Sequence, residues 1–283
     1  MVDAVAVFAR ALSFIALFQA VGGALFLMLF GTRVAVGRAP MAPMARMARL
    51  ATVGAALLLV LQFALQGARL AGDFTGVWDR PLQQLLWQSA PGTALRLQLT
   101  GLLLVLVGLN WSRSLGALGI LLVLAAFTTL GHTVDHAHRV VLAGLLAIHL
   151  FSVAFWFGAL WPLRQAVTLE APQKAAALLG QFSRLAIWIV PALLLAGVTL
   201  MVLLIPGIGI FAQPYGQLLL AKILGFAALM YFAALNKLRL TPALGREAAG
   251  AAQRLRRSLL LEYLLSGAVL IITAFMTGLY SPD

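Results

Sequence analysis

"VVLAGLLAIHLFSVAFWFGALWPL", Val140–Leu163, runs for 24 residues without an Asp, Glu, Lys or Arg, and its one histidine is His149. Hydrocarbon about 30 Å thick takes roughly 20 apolar residues to cross as a helix. Irregular backbone cannot face lipid, and the run lacks period-two alternation, so it reads as a membrane-spanning helix. Comparable runs recur along the whole chain. Charged residues make up only 10% of it, hydrophobic ones 63%, and the mean hydropathy is +1.01. The 283 residues are read as all-α, a polytopic integral membrane helical bundle forming a single transmembrane domain over 1–283.

About eight transmembrane helices are predicted, over 5–31, 49–70, 93–111, 114–131, 140–163, 185–205, 217–237 and 258–279. The first run is too long for a signal segment and lacks a basic start, so it is read as a retained span. Fourteen of the twenty Lys and Arg residues sit on alternate connections, among them Arg33, Arg113, Arg164, Lys237 and Arg257. The positive-inside rule makes those connections cytoplasmic and puts both termini on the periplasmic side of a bacterial inner membrane. Topology therefore accounts for the net charge of +12, and no basic water-facing domain exists to bind nucleic acid. In the outer connection 71–92, Asp79 is expected to cap a short helix with Pro81 in its first turn, and Trp78 and Trp87 suit the headgroup level. The connection 206–216, rich in Gly and Pro, reads as a loop.

No nucleophile and base pair, phosphate loop or paired carboxylates is present, which argues against an enzyme. Cysteine is absent, so a soft metal must be held by His or Met. All four histidines, His132, His136, His138 and His149, fall within 131–151. His132 and His136 are four apart, one helical turn, and Asp135 and His138 lie within reach of the same ion. A solvated polar loop would explain that outer cluster equally. His149 is different, because an ionisable group near the bilayer midplane marks an ion pathway or a cofactor unless it serves to bond a neighbouring helix. Trp156 is seven residues further along nearly the same helical face.

Met201, Met230 and Met276 are candidate sulfur ligands, with core filling as the alternative. Lys222 inside the seventh span either snorkels or spaces cations along a pathway. Glu262, at the start of the last span, is expected to pair with Arg184 or Arg257. Met41, Met44 and Met47 repeat every three residues, as in an interfacial helix or a metal hand-off stripe.

The spacing His149-x6-Trp156-x-Gly158, after a Gly-His pair at 131–132, resembles the CopD family of copper resistance membrane proteins. Three further stretches resemble it in order: Phe182-Ser183-Arg184 opening a small-residue span, Tyr215-Gly216 leading through Lys222 to Asn236, and Arg257-Ser258-x3-Glu262 in the last span. The similarity is strongest over 131–279. It implies a copper ion as the bound or moved species, passed between periplasm and cytoplasm. It also implies a separate periplasmic copper carrier of CopC type as partner, since no such domain occurs in these residues. A b-type membrane cytochrome with haem b on His149, or a non-transporting accessory protein, are the alternatives.

Overall fold

Ten α-helices account for most of the described chain. The computed structural model describes residues 1–34, 38–130, 138–205 and 207–280, with backbone alone at 32–34, 38–41 and 208. The helices are α1 (Val2–Val34), α2 (Arg38–Ala71), α3 (Arg80–Gln88), α4 (Ala90–Gly108), α5 (Arg113–Phe127), α6 (Arg139–Leu169), α7 (Pro172–Leu204), α8 (Pro214–Leu235), α9 (Thr241–Gly245) and α10 (Ala251–Leu279). A single π turn, Asn236–Leu240, joins α8 to α9, and short 3-10 turns occur at Phe74–Val77 and Ile208–Ala212. No strand occurs among the described residues.

Seven stretches, α1, α2, α4, α6, α7, α8 through α9, and α10, are long and apolar enough to cross a membrane. The predicted fourth span, 114–131, corresponds to α5, which has 15 residues and so extends about 22 Å. Helices α2, α7 and α10 start well before the predicted spans, and α6 ends later than predicted. Hydropathy marks the part of a helix that lipid solvates, whereas the Ala- and Arg-rich sequence beside it goes on forming helix in water.

Residues 38–48 show this clearly. They continue α2 instead of forming a separate interfacial helix, and Met44 is buried against Phe26 and Phe30. The expected methionine stripe is therefore divided, with Met44 in the core and Met47 only half-buried. The Met41 side chain lies outside the described residues.

Helix α1 is the hub, packing against α2, α4, α5, α6, α7 and α10. Its crossing with α6 is backbone to backbone. A Cβ at Gly22 would collide with the Ala154 carbonyl and the Gly158 Cα, and a Cβ at Gly158 would collide with Gly22. In lipid, where apolar surface gains nothing by leaving its solvent, such small-residue contacts supply the dispersion that holds helices together.

Pro162 adds a second reason for this approach. It has no N–H to give the Gly158 carbonyl four residues earlier, and Gln19 Nε2 of α1 donates to that oxygen at 3.4 Å. Helices α4 and α5 form a hairpin closed at Gly101–Gly119 and Gly108–Gly116.

At one end of the bundle, Arg69 of α2 pairs with Asp3 of α1 at 2.9 Å and donates to the Gly278 carbonyl of α10 at 3.1 Å. The short helix α3 forms as expected. Asp79 is its N-cap, accepting from the Leu82 N–H at 3.1 Å, and Pro81 stands in the first turn.

Candidate metal centre

Helix α6 presents His149 ten residues after Arg139, about 15 Å along the axis. The ring lies against α7 at Gly197, where an added Cβ would be 3.3 Å from Nδ1 and 3.4 Å from Cε1. The missing side chain at Gly197 also opens a way to the α7 backbone one turn earlier, where Leu193 lies beside the imidazole. Nδ1 is buried and has no partner among the described residues. In the tautomer that carries its proton on Nε2, such a buried nitrogen offers its lone pair to a metal ion. The charge of Lys222 on α8, a half-buried side chain, acts on the same ring.

Leu193, Gly197 and Met201 are spaced by four and share one face of α7. Met201, half-buried, thus stands one turn beyond the residue that His149 touches. Met230 is eight residues past Lys222 on α8, about 12 Å further towards the opposite end of the bundle. Met276 is buried in α10, three residues from its end.

Trp156 lies two turns beyond His149 on α6 and packs on Phe182 of α7, ring centroids 5.8 Å apart. Phe182 also stacks on Phe155 at 5.0 Å. The Trp156 Nε1–H is buried without a partner among the described residues. His138 is exposed at the N-cap of α6, eleven residues and about 16 Å from His149. His132, Asp135 and His136 lie outside the described residues. Among the described residues, no three His, Cys, Asp or Glu side chains gather round one point.

Glu262 departs from expectation. It is not paired with Arg184 or Arg257 but accepts a hydrogen bond of 3.0 Å from Asn236 Nδ2. Arg184 instead lines a cavity of about 370 Å³ with Lys237, Ser183 and Thr241. The π turn and α10 bring Asn236 and Glu262 together, leaving the arginine on another face.

Gly197 and the α7 backbone beside the ring had no separate signal in the sequence, since the small residues of 190–200 read equally as general packing positions. Gly158, the last residue of the His149-x6-Trp156-x-Gly158 spacing, proves to be the crossing point with α1.

Residues 1–139 match the family described as copper resistance protein D-like, N-terminal domain, and 176–276 match the family described as copper resistance protein D. The likeness therefore extends through the first four spans, which resembled the family only in general pattern. The middle of α6, with His149, Trp156 and Gly158, falls between the two matched stretches. A copper resistance protein D of Pseudomonas syringae pv. tomato is 33% identical over 150 residues, 48% of this chain and 48% of that protein. The match thus spans about half the length of this curated relative. No solved structure matches.

Proposed function

Because the chain belongs to the copper resistance protein D family of multi-pass proteins of the bacterial inner membrane, we propose that it binds copper within the bilayer and moves it between periplasm and cytoplasm. The observation that carries this reading is His149: an imidazole inside a span whose Nδ1 is buried and has no partner among the described residues. Neutral imidazole and thioether are suitable donors for a soft ion, and Met201 is the sulfur that the α7 stripe brings closest in register. In the absence of thiolates these are the softest ligands available.

The segment holding His132, Asp135 and His136, with His138 at its end, captures the ion. His149 receives it deeper in the bundle, and Trp156 and Phe182 shield the path beyond. A periplasmic carrier of CopC type delivers copper to that segment. Lys222 keeps surplus cations from collecting beside His149, since like charges repel strongly where water is excluded.

The test is the copper content of purified protein, wild type against His149→Ala, after equilibration with limiting copper. The variant should insert normally, its span being more apolar, but lose most of the bound metal. Full copper retention by a normally accumulating variant would overturn the reading. A haem absorption band surviving purification would instead favour the cytochrome alternative.

A further inference from the structure

Two polar residues unused by the histidine site meet inside the bundle. Asn236 opens the π turn after α8, and Glu262 lies on α10. They are 7% and 2% exposed, and the Asn236 Nδ2 donates to Glu262 Oε1 at 3.0 Å. A π turn holds one residue more than an α turn and re-aims the side chains around it, which is why such turns concentrate at functional positions. This one begins at the residue that reaches the carboxyl.

No ion pair to Glu262 occurs among the described residues. A buried carboxylate without a counter-charge costs several kcal/mol or more, so it needs a cation or a proton. The hydrogen-bond inventory favours the proton. The Asn236 Oδ1 is buried and has no partner among the described residues. It belongs to the amide that already donates to Oε1, and a carboxylic acid can return the bond: N–H to Oε1, and O–H from the acid to Oδ1. A bare carboxylate, an acceptor only, leaves Oδ1 orphaned.

Ser258 and Ser266 stand one turn before and one turn after Glu262 on the same face of α10, both buried and both with hydroxyls that lack a partner among the described residues. Elsewhere in these helices Ser152 and Thr273 bond the carbonyl four residues earlier. The hydroxyls of Ser258 and Ser266 do not, so they remain available to relay a proton.

We propose that Asn236 and Glu262 form a reversible proton-binding site inside the bundle, distinct from the histidine site and reached along Ser258 from the basic end where α10 begins. The proton comes from water at that end, adds to the carboxylate and returns by the same route. Loading makes one hydrogen bond between the π turn and α10, and unloading breaks it.

Among the described residues no charged or titratable neighbour forms an ion pair or a hydrogen bond with this pair. Tyr263 turns to stack on Phe157, and Arg164 of α6 lies over Trp161. Lys237 lines the separate cavity with Arg184. On α1, Asp3 pairs with Arg69, and Arg10 lies over Phe14. Helix α9 has no titratable side chain. Trading such a proton against a copper ion would rest on the function proposed above, but the proton site itself does not.

Infrared difference spectra of the full protein in lipid vesicles without metal provide the test. A carboxylic acid carbonyl band should decline as the medium goes from mildly acidic to mildly alkaline. It should be missing from Glu262→Gln and displaced in Asn236→Leu. Glu262→Gln should fold, since a Gln amide can make both bonds to Asn236. If Glu262→Gln fails to accumulate, the Asn236→Leu displacement decides alone. A wild-type spectrum with no titrating band that depends on either residue, or a Glu262 band that persists unchanged through the whole range, overturns the proposal whatever the protein does with copper.

Discussion

The His149 ring faces Gly197 across the α6–α7 contact so closely that a single added carbon would stand 3.3 Å from Nδ1. Glycine there keeps open the space in which an ion would meet the ring. A branched side chain at 197 should crowd Nδ1 and block that space without removing any donor atom. Gly197→Val is expected to weaken copper binding about tenfold or more, in the range found when the groups orienting a metal ligand are disturbed. Gly197→Ala should cost less, because the ring needs to shift by only a small amount. Equilibrium copper titration of the two purified variants checks the order, and equal affinity in Gly197→Val and wild type would place the ion elsewhere.

Met201 shares a face of α7 with Gly197. Met201→Leu preserves volume and should change stability by less than about 1.5 kcal/mol. If the thioether is a ligand, copper retention should fall while thermal unfolding stays near wild type. Met230→Leu, about two turns past Lys222 on α8, serves as the comparison and should retain its copper.

The Gly22–Gly158 crossing tolerates no side chain. Gly158→Leu forces α1 and α6 apart, and overpacking of this kind costs about 1–3 kcal/mol even where neighbours can yield. Here the obstacle is backbone, which yields less. The variant should accumulate poorly and unfold at lower temperature. Gly180→Ala, where an added Cβ meets nothing within 4 Å, should behave like wild type.

Alternating basic connections predict that reporters fused after Asp283 or within 131–139 read periplasmic, and one at Arg246 cytoplasmic. Reporter activity in whole cells measures this. A cytoplasmic carboxyl terminus would mean that α5 does not cross the bilayer, and the orientation of every later helix would reverse.

The helices were legible because long charge-free runs have few other ways to exist, whereas their ends were not. Nothing in the composition of residues 38–48 marks where lipid stops but helix continues. His149, Lys222, Asn236 and Glu262 stood out as polar groups in apolar sequence. Their partners did not, for two separate reasons. The α7 backbone beside the His149 ring has no letter of its own. The meeting of Asn236 with Glu262 depends on the rotation of two helices about their axes, which the π turn alters by a fraction of a turn. An expected ion pair with Arg184 was reasonable on charge, but it failed because the arginine faces a different cavity.

Helix α1 precedes in the chain every helix that packs on it, so each later span emerges from the ribosome to find its template already in the membrane. Assembly can proceed by accretion, with α10 arriving after α1 to α9 to close on α1 and meet the Arg69 that already holds Asp3. Until then the Asn236 amide has no carboxyl to bond. A chain stalled before α10 would show that amide to lipid, a polar blemish by which membrane proteases could tell an unfinished molecule from a finished one.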